Sequence, residues 1–261
     1  MQIYQAIILG AIQGATEFLP ISSSGHLILA QRLFGTLEVG LLFDVLLHLA
    51  TLLPIFIIFY KDVLSLFKKP YRNLVLLIIA TFPCIITGLL LQDNIECFFY
   101  NGTIFSAILL SSTFLLTAFL MLVCYKRSKK PLVNTLNAKR ALMMGVFQSV
   151  ALLPGLSRSG TVLTGGTLAG LNKEENAKFT FLMSIPVVLG AVLLSGIKAV
   201  DSPEKLETLP VLFGMLSAFT TGYISIEAML KIVKKANYKI FAIYLTIISI
   251  LSLALKVFFG V

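Results

Sequence analysis

The chain has 261 residues, 57% of them hydrophobic and only 13% charged, with a mean hydropathy of +0.95. A soluble domain carries about 25% charged residues, so a soluble fold is excluded, and with it the reading of the +9 net charge as a nucleic-acid footprint. The three cysteines, Cys84, Cys97 and Cys124, are odd in number and scattered, which excludes a disulfide framework and a cysteine metal site.

The first element, Gln2–Phe34, starts apolar and is then interrupted by Pro20, Ser22, Ser23, Ser24 and Gly25. It has neither a basic start nor a small-residue cleavage site, so it does not read as a removed signal peptide. Each side of the interruption is too short for a bilayer core, which takes about 20 apolar residues. The expectation is a re-entrant hairpin that stops near the midplane and leaves by the side it entered. Backbone freed at such a break is tolerated only inside protein or beside a wet cavity. Spans are expected at Val39–Tyr60, Leu74–Leu91 and Thr103–Tyr125. A second broken segment follows, Lys139–Leu171, interrupted by Pro154, Gly155 and Gly160. Three more spans are expected at Phe179–Lys198, Leu209–Leu230 and Ile240–Phe259, with Pro54 and Pro186 marking kinks. The predicted fold class is an all-α integral membrane protein: six full transmembrane helices plus two re-entrant helical hairpins.

Charge orients these elements. Three connections hold 14 of the 21 Lys and Arg residues: Lys61 to Arg72, Lys126 to Arg140 and Lys231 to Lys239. The loop Gln92–Gly102 has none, and Ala199–Thr208 has only Lys205. Cytoplasmic connections are the basic ones, so the three rich ones are expected inside and both termini outside. The first hairpin then opens outward and the second inward.

Shifted by 135 positions, "LGAIQGATEFLPISSSGHL" lies over "MGVFQSVALLPGLSRSGTV" without a gap. Gly10 meets Gly145, Gln13 meets Gln148, and Ser22, Ser24 and Gly25 meet Ser157, Ser159 and Gly160. This is read as an internal repeat. Residues 1–261 form a single membrane domain, with 1–125 as the first repeat and 139–261 as the second. Three spans per repeat put the second upside down, an inverted-topology repeat whose site lies where the broken helices meet.

The tips gather polar groups that hydrocarbon would otherwise exclude. Gln13 and Glu17, four apart, share one helix face. Arg158 is a fixed cation whose planar fork suits two phosphate oxygens. The hydroxyls of Ser22, Ser24, Ser157 and Ser159, with amides such as that of Gly160 at half-helix N-termini, supply donors where the helix dipole favours an anion. His26, near Glu17, suits proton transfer. Taken singly, a serine in a membrane helix usually bonds a carbonyl one turn back, and Glu17 with Arg158 also fits a structural ion pair. For intramembrane charge, function is the default reading. Asp44 and His48, also four apart, fit a supporting role for the site and a simple helix-face pair equally.

"QGATEFLPISSSGH" together with "PGLSRSGT" resembles the undecaprenyl-diphosphate phosphatases of the bacitracin-resistance type. The similarity extends to "FDVLLHLATLLPIF" and "FTFLMSIPVVLGA", most of the chain. The resemblance implies a bacterial inner-membrane enzyme, acting on the outer, periplasmic side, that removes the terminal phosphate of a C55 polyprenyl diphosphate and so serves cell-wall (peptidoglycan) synthesis. It implies a divalent cation, Mg²⁺ or Ca²⁺, and a homodimer. By position, Glu17, Ser23, His26 and Arg158 match the family's essential residues, and Gln13 its variable Glu/Gln position. On that footing Glu17 and Gln13 hold the cation, and Arg158 with Ser157 and Ser159 grips the diphosphate. Ser23 attacks with help from His26 and Glu17; direct attack by His26 is the runner-up. Inverted repeats with broken helices also suit a transporter or a flippase for a polyprenyl phosphate, but the concentration of serine, histidine, arginine and glutamate favours phosphoryl chemistry.

Overall fold

The computed structural model describes residues 1–36, 41–130, 133, 135–201 and 207–260, so Lys205 and the expected start of the first span at Val39 lie outside the described residues. Two pairs of short helices interrupt a set of long ones. The first pair is α1 (Ile3–Glu17) and α2 (Ser23–Phe34); after it come α3 (Leu41–Ile58), α4 (Tyr60–Leu66), α5 (Arg72–Tyr100) and α6 (Ile104–Arg127). The second pair is α7 (Ala138–Val150) and α8 (Arg158–Leu168), followed by α9 (Lys173–Asp201), α10 (Thr208–Lys235) and α11 (Lys239–Phe259). Among the described residues, five helices are long and apolar enough to cross a membrane, and α3 with α4, bent by 92° at the break, makes a sixth if the pair is one span. The chain is an all-α membrane protein.

The long helices overrun the expected spans. Residues 92–100, expected as loop, continue α5, because no glycine or proline stands between Gly88 and Gly102 and Phe99 buries its ring. α9 starts six residues before the expected Phe179, where the Asn172 side chain accepts the Glu175 N–H at 2.8 Å and two acidic residues complement the first turn.

Contacts between connections sort the helix ends. Lys178 pairs with Asp62 at 3.1 Å, Arg72 donates to the Leu136 carbonyl, Arg140 donates to the Ala169 carbonyl at 3.2 Å, and Lys239 lies 4.8 Å over the Tyr125 ring. Val133 and Leu171 add a one-residue bridge. The basic connections therefore share one end with the open end of the α7–α8 pair. The α2 end lies elsewhere: Arg32 donates to the Phe99 carbonyl at 3.1 Å and the Ser106 hydroxyl at 3.0 Å, at the α5–α6 connection.

Each short pair is clasped by the other half of the chain. A side chain on Gly10 of α1 would strike the Gly214 carbonyl of α10 at 2.1 Å; one on Gly145 of α7 would strike the Ala80 carbonyl of α5 at 2.3 Å. Ser217 and Ser225 of α10 donate to the Ile7 and Ala15 carbonyls at 2.8 and 2.9 Å, so α1 and α10 run in the same direction. Between α6 and α11 the bonds are reciprocal, Ser111 to the Ser249 carbonyl and Ser249 to the Ser111 carbonyl.

Candidate active site

The two tips are built alike. Ser22 caps α2 by accepting the Gly25 N–H at 3.3 Å, and Ser157 caps α8 by accepting the Gly160 N–H at 3.2 Å. The first N–H groups of each helix have no acceptor within the helix, and each positive dipole end faces the space between the tips. Ser22 reaches its place with φ +70°, a region that costs a non-glycine residue about 1–3 kcal/mol. Ser157, at φ −64°, carries no such strain. The tips touch through Ser159, whose hydroxyl donates to the Leu19 carbonyl at 3.0 Å. Thr113 and Thr117 of α6 hold the second tip by donating to the Pro154 and Gly155 carbonyls at 2.6 and 3.1 Å.

Glu17 is the centre of the arrangement. The four-residue spacing brings Gln13 Nε2 to its Oε2 at 2.9 Å, and Ser23 Oγ donates to the same oxygen at 2.7 Å. Oε1 pairs with Arg158 Nη2 from the other tip. His48 Nε2, from α3, stands 3.5 Å from Oε2. A buried lone carboxylate is prohibitively costly in a membrane; here two donors, Gln13 and Ser23, and the Arg158 cation satisfy it.

A cavity of about 230 Å³ opens beside this cluster. Glu17, Ser22, Ser23 and Ser24 line it from the first tip, Gln148, Ser157 and Arg158 from the second pair, and His48 and Cys84 from the long helices. Arg158 Nη1 and both amide atoms of Gln148 are buried without a protein partner. Leaving such groups unmade costs about 1–3 kcal/mol each, so the cavity wall asks for a polar, anionic guest that accepts hydrogen bonds.

Four expected site residues stand away from this wall. Gln13 is fully buried behind Glu17. Ser159 joins the tips, and Gly160 lets Pro20 approach to where a side chain would meet it at 3.0 Å. His26 turns the other way: Nδ1 bonds the Ser22 carbonyl at 2.7 Å, Nε2 bonds the Tyr244 hydroxyl at 2.7 Å, and the ring stacks on Tyr244 at 5.7 Å. The Ser23 hydroxyl thus bonds Glu17, while both ring nitrogens of His26 are engaged elsewhere. Sequence reasoning left His48 undecided. Its Nδ1 bonds the Asp44 backbone carbonyl at 2.7 Å, while the Asp44 carboxylate takes Gln31 Nε2 at 2.7 Å. That bond holds the ring so that Nε2 points to Glu17 Oε2, 3.5 Å away. The four-residue spacing was the available signal, and it joined His48 to the Asp44 backbone only.

Glu17 and, behind it, Gln13 are the oxygen donors that could hold a divalent cation here. Glu17 is the one carboxylate on the cavity wall, Gln13 Oε1 is a buried oxygen without a partner, and the described residues contain no cluster of three His, Cys, Asp or Glu that would cage a metal. Oxygen donors suit a hard cation, Mg²⁺ or Ca²⁺ alike.

The sequence profile of the family described as bacitracin resistance protein BacA matches residues 6–251. The chain belongs to this family. Among curated BacA-like relatives, an undecaprenyl-diphosphatase of Carboxydothermus hydrogenoformans is 40% identical over 262 residues, covering 98% of both chains. One of Methanosphaera stadtmanae is 38% identical over 281 residues, covering 98% of this chain and 99% of its own. An undecaprenyl-diphosphatase 4 of Bacillus cereus is 37% identical over 255 residues, covering 97% and 96%. The BacA match, with the apolar helices, makes this a multi-pass membrane protein.

Proposed function

We propose that the chain hydrolyses undecaprenyl diphosphate to undecaprenyl phosphate and inorganic phosphate, with the cavity between the tips as its active site. The observation that carries this is Glu17 bound at once to Ser23 from its own tip and to Arg158 from the other, beside buried donors without partners. Together with relatives whose names denote the phosphatase, it favours an enzyme over a carrier.

The terminal phosphoryl group sits at the converging N-termini of α2 and α8, where Arg158 Nη1 and the first-turn amides receive its oxygens. Ser23 Oγ gives its proton to Glu17 Oε2 as it bonds to phosphorus. The bridging P–O bond breaks, and its electron pair leaves on the lipid monophosphate. Water then hydrolyses the phosphoserine, with Glu17 in the reverse role. Glu17 and Gln13 Oε1 would hold a divalent cation, which when bound neutralises charge on the diphosphate. His26 acts as a support of the Ser22 turn.

The same reading extends to topology. The α2 end at the α5–α6 connection, the α7–α8 ends among the basic connections, and the reciprocal Ser111–Ser249 bonds support two hairpins dipping from opposite faces, in six spans related by an inverted repeat. The basic end faces the cytoplasm of the inner membrane, and the first hairpin, with the active site, opens to the periplasm.

Purified protein given undecaprenyl diphosphate, with and without chelator, tests the activity. Cation-dependent phosphate release, lost in Arg158→Lys, is expected. Near-normal turnover in that variant would remove the assigned grip, and a phosphohistidine trapped at His26 would displace Ser23.

A further inference from the structure

A second cavity, of about 330 Å³, continues the first: Cys84, Leu152, Val187 and Ala191 line both. Its walls are otherwise apolar. α5 contributes Ile85, Gly88 and Leu89; α9 contributes Pro186, Gly190 and Leu193. A side chain added at Gly88 or at Gly190 would meet nothing within 4 Å, so these two glycines leave a slot and not a close helix crossing. At the far rim Leu89 and Leu193 are 67% and 69% exposed, on the surface that faces lipid. The joined cavities therefore run from buried polar donors at Arg158 and Gln148 to open hydrocarbon, between two helices and without a polar barrier.

That gradient matches one class of molecule, an anionic diphosphate ester with an apolar chain. We propose that the groove between α5 and α9 binds the isoprene units that follow the one carrying the diphosphate, and that the lipid enters sideways between these helices without leaving the bilayer. The proposal rests on the phosphatase reading and adds a specificity site to it. The groove binds the chain in ground state and transition state alike, so it sets KM and leaves kcat untouched. The occupant is the substrate's own chain: an unrelated bilayer lipid has no reason to sit where the slot ends on the headgroup donors.

Gly190→Leu and Gly88→Leu fill the slot without touching Glu17, Ser23 or Arg158. Steady-state kinetics with undecaprenyl diphosphate are compared with isopentenyl diphosphate, whose single isoprene unit ends before the slot. Each variant is expected to raise KM for the C55 substrate about 10-fold or more, since each buried CH₂ is worth about 0.8 kcal/mol, with kcat and all C5 parameters unchanged. An unchanged C55 KM would overturn the groove and leave the phosphatase reading intact. If the wild type releases phosphate from neither substrate, the phosphatase reading itself fails. If a variant loses both substrates alike, the wild-type protein decides: a C55 diphosphate with a diazirine on its second isoprene unit should crosslink to peptides containing Gly88 or Gly190. Crosslinks confined to α10 or α11 would overturn the proposal.

Discussion

The first tip and the second solve the same backbone problem with the same parts, a serine that caps the helix after the break and a glycine three residues on whose N–H it takes. What they attach to that frame differs. The first carries Glu17 and Ser23; the positions 135 residues later are Leu152 and Arg158. The consequence shows at the paired glutamines. Gln13 spends its amide on Glu17, whereas Gln148 faces an apolar Leu152 and keeps both amide atoms unpartnered at the cavity. One tip thus holds a carboxylate and a hydroxyl, the other a cation and idle donors. On the proposed reading this divides activation and grip between the two tips.

Breaking that division at its centre gives the largest effect. Arg158→Lys and Glu17→Gln are each expected to lower kcat/KM by roughly 10²–10³-fold, measured by phosphate release on protein that keeps its helical circular dichroism. Ser23→Ala should lose at least as much and abolish a phosphoserine trapped by acid quench, while Tyr244→Phe, which frees only His26 Nε2, should cost less than about 10-fold. A similar loss in Tyr244→Phe would return His26 to the chemistry.

The glutamines sharpen the comparison. Gln13→Leu strips a donor from a buried carboxylate and should lower unfolding free energy by about 1–3 kcal/mol; Gln148→Leu removes idle amide atoms and should leave stability nearly unchanged while weakening substrate binding. Gln13→Glu adds a ligand charge and should lower the Mg²⁺ concentration for half-maximal activity about 10-fold. The smallest contrast is between the caps. Ser157→Gly loses its cap and the 3.2 Å contact with the Ser159 hydroxyl, and destabilises by about 1 kcal/mol or less. Ser22→Gly loses the matching cap and the 3.4 Å contact with Ser24 but relieves the +70° φ, a gain of about 1 kcal/mol or more, so it should lower the thermal midpoint less than Ser157→Gly or raise it.

Much of this was readable beforehand because hydrocarbon penalises irregular backbone. Pro20, Ser22 and Gly25 in one half, and Pro154, Gly155 and Gly160 in the other, located both helix breaks. The spacing of Gln13 and Glu17 announced their hydrogen bond. Placement of side chains around the tips was not readable in the same way. The twist at Ser22 sends His26 toward Tyr244, 218 residues away, and no local pattern encodes that turn. His48 enters the site through the rotation of α3, which the packing of other helices sets. The extension of α5 to Tyr100 was missed because polar residues after Leu91 resembled a loop, while the burial of Phe99 depends on helices elsewhere in the chain.

The clasp at Gly10 and Gly214 also bears on how the chain is made. The partner of the first helix is synthesised about 200 residues later, roughly 10–40 s at ordinary ribosome speeds. Until then the segment bearing Glu17 has only α2 and α3 to pack on and lacks the helix that clasps it. The final seating of the first hairpin therefore follows the synthesis of α10.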